Sequence, residues 1–200
     1  MDNYLWKPSE EKKANSNLEK FVKFIGFESN NSFKDLWNWS VSDPETFWFK
    51  FWDYSKIIGD KGKNTIHKDK VFNKTRFFID SRINYSENIL KKRSKEIAIN
   101  FLSERGFEEE ISWDKLYEKV CKFSFYLKSL DLKKGDRVAA YVPNKIESII
   151  CFLACAKNGI IWSSCSPDFG AQGAIDRFKQ IEPKVLVTSD YYFYNGKKIN

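Results

Sequence analysis

Histidine is almost missing from this 200-residue sequence, which has one, and cysteine is sparse at four. The lone His67 sits in a Lys-rich loop, so a His-based triad or a multi-histidine metal site has no second ring to draw on. Cys121, Cys151, Cys155 and Cys165 form no pair of Cys-x-x-Cys units, which removes the common zinc frameworks. Cys151 and Cys155 lie four apart in an apolar stretch and read as small buried side chains in a reducing compartment. Long apolar runs are also lacking: the longest, Ile149 to Ala156, is far short of the roughly 20 residues that span a bilayer. No apolar core stands between Met1 and Pro8, so a secretory signal is not expected. With nine glycines a collagen-like chain is excluded. The expectation is a cytoplasmic protein without a membrane partner.

What the chain does have is apolar and aromatic surface. Hydrophobic residues make up 42% and aromatics 17%, including seven Trp and eighteen Phe, too much to remain a solvated coil. The formal charge of +7 comes mostly from Lys scattered among Asp and Glu. Its densest run, Lys91-Lys92-Arg93 with Lys95, lacks the aromatic interleaving of an RNA-recognition surface, so no nucleic-acid partner is expected. A solvated face explains the run, with an anion contact as the other reading.

From Ser9 to Ile25, Leu18, Phe21, Val22 and Ile25 recur at helical spacing, and Gly26 stops the pattern. Ser32 and Asp43-Pro44 each open a further helix. These two helices carry Leu36, Trp37, Trp39, Phe47, Trp48, Phe49, Phe51 and Trp52 on several faces, as expected of helices packed between other elements. A polar stretch from Ile58 to Lys74 reads as loop, Arg76 to Ile79 as a short extended piece, and Arg82 to Leu90 as a turn into a short helix. Composition changes near Ser94.

Beyond Ser94 the pattern alternates. Glu96 to Leu102 reads as a strand, and Ser112 opens a helix with Leu116, Val120, Phe123, Leu127 and Leu130 in one stripe. Then Val138–Val142, Ile160–Ser163 and Val185–Thr188 read as strands separated by helices over Ile146–Lys157 and Ala171–Ile181. Such alternation predicts an α/β fold with a parallel sheet and right-handed crossovers. Ligands bind that architecture outside the carboxyl ends of its strands, here Pro143-Asn144, Ser163 to Ser166, and Ser189-Asp190. The nearest approach to a phosphate loop, Gly170-Ala171-Gln172-Gly173, lacks a following Lys and Ser or Thr and reads as a helix start.

Ile111-Ser112-Trp113-Asp114-Lys115-Leu116, Gly135-Asp136-Arg137-Val138-Ala139 and Ala154-Cys155-Ala156-Lys157-Asn158-Gly159, in that order and spacing, resemble the opening motifs of the acyl-adenylate-forming CoA ligases. Trp37-Asn38-Trp39-Ser40-Val41 with Pro44 and Phe47-Trp48, then Asn84-Tyr85-Ser86-Glu87-Asn88, resemble the N-terminal extension of the acetyl- and acetoacetyl-CoA synthetase branch. Trp162-Ser163-Ser164-Cys165-Ser166-Pro167-Asp168-Phe169-Gly170 leans to the acetoacetate–CoA ligases, because the acetate enzymes carry a Gly-Gly pair where Ser163-Ser164 stand.

The resemblance implies a helical, aromatic-rich N-terminal extension over residues 1–94 and the first, incomplete part of an AMP-binding adenylation domain over 95–200. It implies a carboxylate such as acetoacetate, with ATP, CoA and Mg²⁺ as co-substrates and cofactor. It also implies that the phosphate loop and the catalytic Lys lie beyond Asn200, so that this chain has no catalytic residue and binds none of these molecules tightly. One contact carries over: the nucleotide end of CoA would lie against Trp162, Ser163 and Ser164, and against the turn Tyr194-Asn195-Gly196-Lys197, where Lys197 keeps a positive charge and Tyr194 replaces a charged residue. An ordinary polar turn is the other reading of those residues. Three roles stay open: part of an acetoacetate–CoA ligase (or of an acetyl- or propionyl-CoA synthetase), a non-catalytic binding module, or a split subunit completed by the remainder of the enzyme.

Overall fold

The structure, a computed structural model, describes residues 5–27 and 32–199 and divides into two compact units, Met1–Ile83 and Asn84–Asn200. In the first unit, α1 (Glu10–Ala14) and α2 (Asn17–Ile25) replace the single helix expected from Ser9 to Ile25. The reason is local: the Ser16 hydroxyl accepts from the Glu19 amide at 3.1 Å, so a second N-cap opens α2 just before the periodic residues Leu18 to Ile25. The helices α3 (Phe33–Ser42) and α4 (Pro44–Tyr54) start where expected, α3 from a capping box of Ser32 with Asp35 and α4 from Asp43 followed by Pro44.

The aromatic residues of this unit mostly satisfy one another. Phe21, 5% exposed, meets the rings of Phe47, Phe51 and Tyr54 edge-on at 5.9, 5.7 and 5.1 Å between centroids. Trp52 is buried against Phe78 at 4.8 Å, whereas Trp37 remains 54% exposed. The stretch read as loop carries short ladders, β1 (Gly59–Asp60) with β4 (Arg82–Ile83) and β2 (Ile66–His67) with β3 (Arg76–Phe77). Asp80 organises them, its carboxylate accepting from the Lys63 and Asn64 amides at 2.8 and 3.2 Å. The Lys63 amide is the main cause that holds this carboxyl below its ordinary range.

The second unit runs α5 (Tyr85–Ile89), β5 (Ile97–Ser103), β6 (Gly106–Ser112), α6 (Trp113–Ser129), β7 (Arg137–Tyr141), α7 (Ile146–Lys157), β8 (Ile161–Cys165), α8 (Gly170–Lys179), β9 (Val185–Thr188), β10 (Tyr192–Tyr194) and β11 (Lys197–Ile199). The parallel sheet has the order β8-β7-β9, with Val138 opposite Trp162 on one side and Val185 on the other. The chain steps outward from β7 to β8, then back across β7 to β9, so right-handed crossovers put α7 and α8 on opposite faces. Two antiparallel hairpins, β5–β6 and β10–β11, accompany the sheet.

The core of this unit joins Val138 to Leu116, Val120 and Leu127 of α6 and Ile146, Ile150 and Leu153 of α7. Leu130, the last residue of the expected α6 stripe, stays 43% exposed beyond the helix end. Two side-chain amides lock elements together. Asn158 accepts from the Ser124 hydroxyl and donates to the Ser124 carbonyl, both at 3.0 Å. Asn84 accepts from the Glu87 amide at 3.0 Å as the N-cap of α5, and its Nδ2 donates to the Ala156 and Lys157 carbonyls at 3.1 Å, capping the end of α7. With Leu90 1% exposed in the same core, α5 belongs to the second unit. The compact units therefore meet between Ile83 and Asn84, ahead of the compositional change near Ser94. Among the described residues no helix is long and apolar enough to cross a membrane.

Asn84→Ala should destabilise the second unit by about 2 kcal/mol, since it removes an N-cap and the bonds to the Ala156 and Lys157 carbonyls at the end of α7. Ser86→Ala, two residues on, should be neutral or stabilising, because the Ser86 hydroxyl is fully buried without a hydrogen-bond partner among the described residues. Urea unfolding of the two variants checks the contrast; equal losses at both positions would contradict it.

Candidate functional site

The motif Gly135-Asp136-Arg137 anchors the amino end of the sheet, away from both cavities. Gly135, with φ +89°, turns the chain into β7 and donates to the Gly159 carbonyl at 2.9 Å. Arg137 reaches across the start of the sheet, donating from Nε to the Ile181 carbonyl at 2.7 Å and from a terminal nitrogen to the Glu182 carbonyl at 3.2 Å. Asp136 accepts from the Lys133 amide at 2.7 Å and from the Lys184 ammonium at 3.0 Å, so the amide first and the ammonium second hold its carboxyl below the ordinary range. These contacts fix β7 to the entry of β9 and leave the opposite, carboxyl ends of the strands to the loops.

Those loops converge as the strand order requires. Pro143 and Asn144 follow β7, Ser166 to Asp168 follow β8, and Ser189 to Tyr191 follow β9. A cavity of about 470 Å³ opens between the first two and the hairpins, with Glu104, Arg105, Lys145 and Tyr191 to Tyr194 among its walls. A second, of about 420 Å³, opens between the ends of β7 and β9, lined by Pro143, Ser148, Cys151, Thr188 and Asp190. The strand order reverses at that junction, the place where open α/β sheets form a crevice.

The larger cavity has ordered, partly cationic aromatic walls. Tyr141 donates from its hydroxyl to the Pro167 carbonyl at 2.6 Å, and the Ser166 hydroxyl donates to the Asp168 carboxylate at 2.8 Å. Lys198 and Lys145 stand 4.1 and 5.4 Å from the Tyr191 ring, and the Arg105 guanidinium 4.4 Å from the Phe193 ring. Burial, then the Asp168 charge, pushes the Tyr192 hydroxyl up from its ordinary value. Among the described residues no group of three or more His, Cys, Asp or Glu side chains converges as a metal site.

The residues marked by sequence separate into two groups. Tyr194, Gly196 and Lys197 come together on the β10–β11 hairpin, where Asn195 and Gly196 form a two-residue turn with φ of 50° and 72°. Tyr194 lines the larger cavity, and Lys197 is exposed beside the turn. Trp162, Ser163 and Ser164 lie on the edge strand β8 and line neither cavity. Trp162 packs half-buried against the core. Gly170 begins α8, as the helix-start reading of Gly170 to Gly173 expects. Sequence reasoning missed Glu104, Arg105 and the aromatic run Tyr191 to Phe193. The Asn195-Gly196 pair between aromatic and Lys-rich flanks was the available hairpin signal.

Residues 86–199 match the family model described as "AMP-binding enzyme". The chain is 39% identical over 197 residues to an acetoacetyl-coenzyme A synthetase of Rhizobium meliloti, covering 97% of this chain and 30% of that protein. It is 32% identical over 203 residues to a malonamoyl-CoA synthetase of Penicillium aethiopicum, covering 96% and 28%. Among solved structures, the acetoacetyl-CoA synthetase from Streptomyces lividans superimposes with a TM-score of 0.84 at 30% identity, covering 96% of this chain and 31% of that one. The chain thus spans about 30% of the length of the curated relatives it matches.

The cysteines behind the second cavity give a test of how dry its floor is. Burial, then the Glu147 charge, pushes the Cys151 thiol up to about 11; burial, then Cys151, pushes Cys155 up to about 12. Both thiols ionise more readily in the unfolded chain, from their ordinary value of 9.0. Their contribution to stability is therefore complete below about pH 9 and lost as pH rises towards 12. Iodoacetamide at pH 8 should spare Cys151 and Cys155 in the folded chain and label both in urea. Native labelling of Cys155 would contradict the packing.

Proposed function

The chain belongs to the AMP-binding enzyme family, and from that premise we propose that it is the opening part of an acetoacetate–CoA ligase. In that reaction a carboxylate oxygen attacks the α-phosphorus of ATP and pyrophosphate leaves. The CoA sulfur then attacks the acyl carbon, the thiol proton is released, and AMP departs with the electrons of the acyl–oxygen bond. The observation that carries the reading is similarity to acetoacetyl-CoA synthetases along nearly the whole chain, over both units. Acetoacetate and the acid that yields malonamoyl-CoA are both short carboxylates with a carbonyl at the β position, which defines the substrate class we favour over acetate or propionate.

In this reading the parts present are architectural and CoA-facing. The hairpin Tyr192 to Ile199 offers Lys197 to a CoA phosphate and Tyr194 as a flat apolar surface, while Trp162 supports the edge strand from the core side. Ser163 and Ser164 are the small residues of that strand next to Trp162. The triphosphate clamp and the catalytic Lys are assigned to the rest of the ligase. A specific observation supports the remainder as partner: Ile161 and Leu186, on the two outer strands of the sheet, are 53% and 57% exposed. A cytoplasmic location fits the four free cysteines.

The 200-residue chain mixed with ATP, Mg²⁺ and acetoacetate should release no pyrophosphate above a protein-free control; turnover that copurifies with the chain would overturn the division of labour. CoA should bind weakly and pantetheine more weakly still. Lys197→Ala should lower CoA affinity by up to about tenfold and flatten its salt dependence, the effect of losing one charge-assisted contact in an exposed site. Lys92→Ala should change nothing, since Lys92 pairs with Glu96 on the separate basic run. Calorimetry decides it: equal CoA affinity for the wild type and Lys197→Ala removes the site.

A further inference from the structure

The tips of the two hairpins meet across 91 residues of sequence. Glu104, at the tip between β5 and β6, places one carboxylate oxygen 2.8 Å from the Asn195 amide and the other 2.9 Å from the Gly196 amide. Because both turn residues are in the left-handed region, two successive N–H groups point the same way and present a fork of donors. The adjoining Arg105 guanidinium covers Phe193, and Lys197 and Lys198 follow directly on the other side of the turn. A pair of amides flanked by three cations is an oxyanion receptor, and in this structure an anion of the chain itself already fills it.

Glu104 is exposed, as are both residues of the turn. A carboxylate that exchanges water for two amides at the surface gains little, so the contact is one an external anion can displace. The amide fork does not distinguish a carboxylate from two oxygens of a phosphate monoester, whose greater charge the neighbouring cations favour. We propose that Glu104 is a built-in competitor for this turn, a latch that holds the β5–β6 tip over the Asn195-Gly196 amides until a phosphate monoester replaces it. The proposal rests on the CoA-facing reading of the hairpin and adds its regulation: ligand entry on this side of the larger cavity requires the Glu104 tip to swing away. A latch closed about nine-tenths of the time lowers apparent affinity about tenfold, since only the open fraction binds.

Calorimetric titration of the full 200-residue chain with CoA, dephospho-CoA and inorganic phosphate, at fixed ionic strength, tests this with the wild type, Glu104→Ala and Glu104→Gln. Glu104→Ala should bind CoA about tenfold more tightly than the wild type, Glu104→Gln should gain less because one acceptor remains, and dephospho-CoA should show no gain. A gain for inorganic phosphate equal to that for CoA supports the latch and assigns its ligand as free phosphate. An equal gain for dephospho-CoA overturns the monoester assignment. Equal CoA affinity in all three proteins overturns the latch and leaves the CoA reading standing; no saturable binding to any of them overturns both. If Glu104→Ala loses cooperative unfolding, Glu104→Gln, which keeps side-chain length and shape, decides by the same criteria.

Discussion

The second unit depends on one constraint, the burial of the middle of β7 between two parallel neighbours. Val138, Ala139 and Ala140 have no exposed surface, and β7 pairs on one side with β8 and on the other with β9. Parallel pairing forbids a hairpin, so each connection must cross a face of the sheet and return to the same end. All three strands then deliver their carboxyl ends to one edge. The loops carrying Pro143, Ser166 and Ser189 meet there because of strand direction, before any ligand is considered. The small residues Ala139 and Ala140 fill the middle of the sheet and have no exposed surface.

The motif residues divide by the same logic. Gly135, Asp136, Arg137, Asn158 and Asn84 serve the amino end of the sheet and the helix ends, where they hydrogen-bond backbone groups of neighbouring segments. Their work is structural, although they are the residues that make the family legible. The two cavities and the proposed CoA-facing hairpin lie at the other end, built from short loops and two hairpins whose individual residues are common in any surface turn. A family signal in sequence thus points to the scaffold more strongly than to the site.

The fold was legible where period and length agreed. Leu116, Val120 and Leu127 gave α6, and the alternation of short apolar runs with Ile146–Lys157 gave the parallel sheet. Ser9 to Ile25 misled because its apolar residues, Leu18, Phe21, Val22 and Ile25, all belong to α2, while the polar stretch before Ser16 folds as a separate short helix that hydrophobic spacing does not mark. The β6 strand was hidden because Phe107 to Ser112 mixes three glutamates with its apolar residues, and pairing with β5 supplies a ladder that composition does not announce. At the site, sequence could mark Tyr194, Gly196 and Lys197 one by one. It could not place Glu104 on the amides of Asn195 and Gly196, because nothing local connects positions 91 and 92 residues apart.

We propose that the hairpin beyond β9, at the carboxyl end of the sheet, is where this chain meets CoA. An ¹⁵N-resolved NMR titration of the chain with CoA tests it most directly, because each backbone amide reports separately. The account predicts that shifts concentrate on Tyr192 to Lys197 and on the tip Ser103 to Gly106, with Lys91 to Lys95 unmoved. Shifts centred on the aromatic helices before Tyr54, or none at saturating CoA, would contradict it.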